Sequence, residues 1–247
     1  MSRPEYSDDY TDPRLAVFYE QLNPWGGSGD RYHLDLVASA GSVLDVGCGT
    51  GLLLRKARAA GHTGRLVGLD PAAAMLDQAR VRDDVEWILG DLSTVDFEDG
   101  FDLVVMTGHV FQVFLGDDDI RAALAAVRRA LAPGGRFAFE TLNPARRPWE
   151  HWAGSVELVA PDGAVVTAGN TAPSVVGDGL IEVVGRFASP AWEREVRCPS
   201  RFRFVDVAAL DAFLADAGLA VRERYGDFDR SPFTAASPEI VTVAVAA

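Results

Sequence analysis

Cysteine is nearly absent from this sequence: Cys48 and Cys198 are the two among 247 residues. They lie far apart and in no paired spacing, which excludes a disulfide framework and gives no zinc site, so the default expectation is a cytoplasmic protein without a bound metal. Long apolar runs are missing too. None approaches the roughly 18 residues of a membrane helix, and the polar opening MSRPEYSDDY fits neither a signal peptide nor a transit peptide. Positive charge is scarce, with 23 Lys plus Arg against 36 Asp plus Glu and a formal net charge of −13. Such a surface repels phosphate backbones, so neither nucleic acid nor a membrane is an expected partner. What is present is a globular composition, 48% hydrophobic and 24% charged. Its length allows one large domain, or one domain with a sizeable insert, at roughly 150 residues per domain.

From Gly41 to Thr141 short apolar runs alternate with helix-period segments. Ser42–Val46, Arg65–Leu69, Val85–Leu89, Phe101–Met106 and Arg136–Thr141 read as strands. Helices are expected over Gly51–Ala60, over Pro71–Arg80 with Pro71 in the first turn, and along the face Ile120, Leu124, Val127, Leu131, ended by Pro133-Gly134-Gly135. Strand and helix in rotation predict a doubly wound α/β unit with a parallel sheet covered on both faces. After Trp152 the pattern changes. Val156–Ala160, Val165–Ala168, Leu180–Phe187 and Glu193–Phe204 read as consecutive strands between turn signals, which points to antiparallel pairing. Asp206–Ala217 then reads as a helix, followed by strands at Leu219–Tyr225 and Glu239–Ala244. Two helices are expected before the first strand, near Arg14–Leu22 and Arg31–Ser39.

The stretch Val43-Leu44-Asp45-Val46-Gly47-Cys48-Gly49-Thr50-Gly51 carries the chemistry. A strand runs into three glycines at alternate positions and a helix follows, so the backbone turns sharply and a ligand can approach it closely. Leu52 occupies the sixth position of the dinucleotide fingerprint, which disfavours a nicotinamide enzyme, and no Gly-Lys-Ser/Thr follows to make a Walker loop. Asp70 ends the second strand nineteen positions after Gly51, where a carboxylate accepts the hydroxyl hydrogens of a ribose. Asp91 follows the third strand and is placed to accept from an exocyclic amine. Each acid alone also fits a turn or helix cap. Together with the glycine loop they form a nucleoside site at the carboxyl ends of adjacent strands.

These motifs resemble those of the class I S-adenosylmethionine-dependent methyltransferases. The resemblance rests on DVGCGTG at 45–51, Gly68-Leu69-Asp70 followed by Met75-Leu76, Gly90-Asp91, FDLVV at 101–105 and Leu131-Ala132-Pro133-Gly134-Gly135, and it covers residues 40–142. It implies S-adenosyl-L-methionine as cofactor, S-adenosyl-L-homocysteine as product, and a seven-stranded, mostly parallel Rossmann-like sheet whose last strand is antiparallel, with the antiparallel β insert after strand 5. The whole chain, 1–247, then reads as one methyltransferase domain: a helical lid at 1–40, a cofactor-binding core at 41–152, the insert at 153–204, and a closing helix and strands at 205–247. By resemblance, Asp45, Gly47, Gly49 and Gly51 border the methionine and ribose parts of the cofactor, and Thr107 lines the methionine side. Asp70 holds the ribose, with Pro71 and Met75 nearby, and Asp91 and Leu92 hold the adenine.

The acceptor side is less determined. His109, in Thr107-Gly108-His109, is the candidate general base, or else a residue that caps its loop. Asn143, Arg146, Arg147, His151 and Trp152 follow the fifth strand and are expected to border the acceptor. An arginine pair there either binds a carboxylate or lies on the surface. His33 and His62 are expected on the surface. The aromatics Tyr6, Tyr10, Tyr19 and Trp25 either form a lid, with Tyr19 toward the cofactor and Trp25 toward the acceptor, or pack on the sheet. The Tyr225–Phe233 loop is expected near the acceptor. The leading reading is methyl transfer to an O, N or C nucleophile of a small molecule by a monomer or homodimer. The alternative is a catalytically silent, cofactor-binding regulatory or assembly protein.

Overall fold

A computed structural model describes residues 8–98, 100–177 and 179–247, so Tyr6 lies outside the described residues. The described residues open on four helices, α1 (Asp8–Thr11), α2 (Pro13–Ala16), α3 (Tyr19–Leu22) and α4 (Ser28–Ala38). The single helix expected near Arg14–Leu22 is thus divided, and the division has a packing cause. Leu15 and Phe18 turn toward one apolar cluster with Phe187 and Cys198, while Ala16 and Tyr19 turn toward another with Ala72, Ala74 and Met75. One continuous helix cannot serve both directions, and tertiary contact overrides local propensity.

The α/β unit follows: β1 (Ser42–Val46), α5 (Leu52–Ala59), β2 (Arg65–Asp70), α6 (Ala73–Ala79), β3 (Glu86–Leu89), β4 (Phe101–Met106), α7 (Asp117–Ala130) and β5 (Leu131–Leu142). Two expectations shift here. Pro71 precedes α6 instead of opening it, because the Asp70 carboxylate accepts the Ala72 amide and delays the helix. Leu131 leaves the α7 face and starts β5, where it pairs with Phe101. Adjacent strand residues such as Val43 and Leu44, or Val104 and Val105, are wholly buried although they point to opposite faces. That is the burial of a sheet covered on both sides.

The antiparallel insert contains β6 (Gly154–Val159), β7 (Val165–Asn170), β8 (Ser174–Gly177), β9 (Leu180–Ala188) and β10 (Val196–Arg203), in the order β10-β9-β7-β6 with β8 also on β9. The strand β8 was not anticipated. Every residue of it is exposed, so no buried alternation marks it in the sequence. The chain closes with α8 (Val207–Asp216), β11 (Leu219–Tyr225) and β12 (Glu239–Ala246). The main sheet has the order β11-β12-β5-β4-β1-β2-β3. Its strand β12 is antiparallel to both neighbours. No helix among the described residues is long and apolar enough to cross a membrane.

The insert is stitched to the N-terminal helices. Leu15 and Phe18 pack with Leu158, Val166, Ala168 and Phe187. At the rim, the Gln21 side chain donates to Val159 O at 2.9 Å and accepts from Val159 N at 3.2 Å. These helices therefore sit between the insert and α6, over the carboxyl ends of β1 and β2.

The turn from β1 into α5 depends on close packing. Gly51 has φ +69°, and a Cβ there would run into the Trp87 ring and lie 3.0 Å from Ala79 Cβ. Gly51→Ala should lower stability by about 3 kcal/mol, the sum of a left-handed backbone penalty and overpacking. Urea unfolding measures it, and a loss below ~1 kcal/mol would show that Trp87 yields easily.

Candidate active site

Three chain reversals build a crevice at the carboxyl end of the sheet. In the first, Gly47, Gly49 and Gly51 all take positive φ, at +72°, +55° and +69°. A Cβ on Gly47 would stand 2.6 Å from Val110 Cγ2, so the loop after β1 and the loop after β4 touch. In the second, Asp70 is buried and accepts Gly49 N on Oδ2 and Ala72 N on Oδ1, both at 2.8 Å. The carboxylate locks the first loop to the start of α6. Burial raises its pKa against the lowering pull of those two amides. In the third, Thr107, Gly108 and His109 follow β4, with Gly108 at φ +67° and His109 at +63°.

Tyr19 spans the crevice. A Cβ on Gly49 would lie 3.8 Å from Tyr19 Cε1, and one on Gly108 would lie 3.9 Å from its hydroxyl. The Tyr19 ring packs edge-on to Tyr10 at 6.1 Å and sits beside Met75. A small cavity of about 70 Å³ lies on the outer side of this ring, lined by Tyr10, Leu15, Leu22, Asn23 and Phe187. At the far side, Asp91 turns its own loop: Oδ1 accepts Ser93 N at 2.8 Å and the Ser93 hydroxyl at 2.6 Å. Leu92 is buried beneath it.

The inner face of the crevice is a buried layer of acids and histidines. Asp45 on β1, Glu140 on β5 and Glu239 on β12 share one sheet face. His33 is not on the surface as expected. It is buried on α4, and its Nε2 lies 3.1 Å from Glu140 Oε2. His62 is half-buried as well, with Nε2 2.8 Å from Ala40 O. His109 donates its backbone amide to Glu140 Oε1 at 3.2 Å. Its Nε2 lies 3.2 and 3.1 Å from the two Glu239 oxygens.

Electrostatics follow from this layout. Burial works against charge on both His33 and Glu140, but their mutual attraction prevails, so the histidine pKa rises and the glutamate pKa falls. Asp45 is 1% exposed, and its Oδ1 has no hydrogen-bond partner among the described residues. Burial pushes its carboxyl up to about 8; His33 opposes the rise, and the charges of Asp70 and Glu140 reinforce it. Burial lowers His109, yet the Glu239 hydrogen bond and the charges of Glu140 and Glu239 outweigh it and raise the ring. Glu239 also rises through burial, with Glu140 and Asp227 adding to it against the pull of His109. The Glu140 charge raises both partners, in Glu239 as a smaller cause than burial.

The other expected residues fall elsewhere. Asn143 is buried and spends its amide on Ala235 O and Ser237 O, while its Oδ1 accepts Ala145 N, so it fastens the loop before β12. Arg146 and His151 are exposed. Arg147 pairs with Glu150 at 2.7 Å. Trp152 packs on Phe202 and Phe204. Trp25 lies against the α4–α5 side with Lys56 Nζ 5.8 Å from its ring. From the Tyr225–Phe233 loop, Phe228 packs on Tyr32 and His33, covering α4. Sequence reasoning missed His33, Glu140 and Glu239. Two of them carried a signal: His33 precedes the apolar Val37 by one helical turn, and Glu140 interrupts an otherwise apolar buried strand.

An orphaned buried carboxylate beside a glycine cradle suits a zwitterion's ammonium, and Asp70 and Asp91 beside it suit a nucleoside. Comparisons with known proteins point to an adenosyl cofactor of this kind. Residues 43–135 match a family described as a methyltransferase domain. The chain is 27% identical over 252 residues to a cypemycin N-terminal methyltransferase of a Streptomyces species, covering 98% of each. The solved CcbJ methyltransferase of Streptomyces caelestis superposes with a TM-score of 0.73 at 25% identity, covering 97% of this chain and 99% of that one. SAM-bound CalS10, an amino pentose methyltransferase of Micromonospora echinaspora, gives a TM-score of 0.71 at 24% identity, covering 94% and 97%. With the ordered motifs, the seven-stranded sheet and the nucleoside-type crevice together, residues 43–135 form a class I S-adenosylmethionine-dependent methyltransferase domain.

Proposed function

We propose that this enzyme methylates an amine nitrogen of a small molecule, and that the crevice residues divide the work as follows. Asp45 receives the ammonium of S-adenosylmethionine, and the 47–51 backbone lies along its methionine part together with Thr107 and Tyr19. Asp70 accepts the ribose hydroxyls with the lone pairs left after Gly49 N and Ala72 N. Asp91 and Leu92 take the adenine, and Pro71 and Met75 line the adenosine. The cofactor supplies a methyl already activated on sulfur, so the protein's task is alignment and exclusion of water.

The observation that carries the amine reading is the negative field around His109. Glu239, Glu140 and Asp227 act on this end of the crevice, and a cationic or polar amine enters such a field more readily than a carboxylate or phosphate. The cypemycin relative, aligned over 98% of its length, is an N-terminal methyltransferase. Arg146, Arg147 and His151 lie exposed, and this reading assigns them no part.

Two measurements test the cofactor site. Titration calorimetry with S-adenosylmethionine should show binding by the wild type, weakened about 100-fold in Asp70→Ala, the scale of two charge-assisted hydrogen bonds. Undiminished binding by the variant would remove Asp70 from the site. The second measurement concerns pH. Asp45 keeps its proton in the folded state up to about 8, whereas the unfolded chain releases it near 3.8. The folded state thus binds more protons between those values, and this group's contribution to stability falls as pH rises through the window. Asp45→Asn lacks that fall. The Tm of the variant relative to wild type should climb between pH 5 and pH 8; parallel curves would place Asp45 in a solvated setting.

A further inference from the structure

We propose that Glu239 fixes the His109 ring with Nε2–H directed inward, leaving Nδ1 as the base that takes the proton from an ammonium acceptor. This rests on the reading of the crevice as a methyl-transfer site to an amine. Three observations lead to it. His109 adopts the left-handed region without being glycine, at φ +63°. Such a backbone persists only where the surroundings hold it; here Glu140 does so by accepting the His109 amide. The turn brings the ring to the first residue of β12, where Nε2 stands 3.1 and 3.2 Å from the two carboxylate oxygens of Glu239. Finally, the Glu239 side chain is 11% exposed and that of His109 32%, so the carboxylate forms the inner end and the ring opens away from it.

A carboxylate is an acceptor, so it selects the tautomer with the proton on Nε2, and the neutral ring's lone pair is then on Nδ1. An alkyl ammonium has a pKa of roughly 10 and a peptide N-terminus roughly 8, so near neutral pH the acceptor nitrogen has no lone pair to offer. The acceptor gives one proton to His109 Nδ1. Its freed lone pair forms the new C–N bond while the methyl's bond to sulfur breaks, and that electron pair stays on sulfur. His109 returns its proton to water. Charge balances, because the sulfonium's positive charge ends on the methylated nitrogen. The charged groups facing this ring are Glu239 from β12 and Glu140 from β5, with Asp227 beside Glu239 and His33 on α4 beyond Glu140. Glu239 is thus a positioning residue and His109 the catalytic one.

Ring-nitrogen NMR of ¹⁵N-histidine-labelled protein with S-adenosylhomocysteine bound tests the arrangement, with His109 assigned by the signal lost in His109→Gln. The neutral His109 ring should be the Nε2–H tautomer. Removing the carboxylate's charge in Glu239→Gln withdraws support from the imidazolium, so the ring's titration midpoint should drop by about one pH unit. An Nδ1–H tautomer, or an unmoved midpoint, would overturn the dyad. With a simple aminosugar as probe acceptor, the rising limb of the kcat–pH profile should move down with the ring in Glu239→Gln, KM staying unchanged. His109→Gln should lose about 100-fold in kcat. A limb that stays put while the ring titration moves would overturn the base role, and no transfer to the aminosugar by the wild type would overturn the amine class. Glu239→Asp, which keeps the charge, should restore most of the wild-type midpoint, separating charge from mere folding. Failure of the cofactor reading looks different: calorimetry then shows no S-adenosylmethionine binding, while the ring tautomer of the protein alone still reports on Glu239.

Discussion

The carboxylate of Asp70 is the joint on which the crevice depends. Strands β1 and β2 both end in backbone that leaves the sheet ladder: Gly47 N and Cys48 N still reach Leu69 O of β2, whereas Gly49 N and Ala72 N have no strand partner. Asp70 accepts one from each loop, Gly49 N and Ala72 N, at 2.8 Å. A buried amide left without an acceptor costs about 1–3 kcal/mol, so this one side chain removes two such penalties. It also holds the glycine loop in positive-φ conformations that a free chain would sample only in part. The crevice is therefore preformed, and little conformational entropy remains to be lost when a ligand enters.

Beneath that joint, sheet parity organises the charge. On one face of the sheet Val43, Ala138 and Val241 belong to the apolar cluster shared with α4 and α5. Two residues nearer the crevice along β1 and β5 come Asp45 and Glu140, and Glu239 precedes Val241 by two on antiparallel β12. Period-two alternation thus places acids above a dry apolar floor, where the local dielectric is low and charges act strongly. His33 and His109 offset part of that charge, each paired at 3.1 Å with a carboxylate. Asp45 remains unpaired on one oxygen, and the remaining negative field favours cations at this end of the fold. A cofactor bearing ammonium and sulfonium groups meets that electrostatic demand.

The α/β alternation was legible because each strand's apolar run and each helix's period lie within a few residues of one another. The glycine loop and Asp70 were legible because their spacing is itself local. The acid–histidine layer was not, since it joins α4, β5, the loop after β4, and β12, segments separated by dozens of residues or more. His33 looked like a surface histidine because its partner, Glu140, is more than a hundred positions away. Asn143 looked like an acceptor-side residue from its place after β5, yet it serves as a fastener, for only the fold reveals that Ala235 and Ser237 lie within reach. The division of the helix near Arg14–Leu22 was hidden for a similar reason. Its cause is that Leu15 and Ala16 bury against clusters from opposite directions.

That division gives the N-terminal segment its mechanical character. A single long helix would rest on one surface. Short helices let neighbouring residues grip the insert and α6 at once, so Tyr19 is held over the gap between the loops after β1 and β4. The ring lies toward both Gly49 in the glycine loop and Gly108 in the loop presenting His109. Water at that position would screen the Glu239–His109 pair. Screening falls as solvent leaves, and each interaction in the acid–histidine layer strengthens accordingly. Tyr19 and the buried charges are thus parts of one arrangement, since buried charges act most strongly where the local dielectric is low.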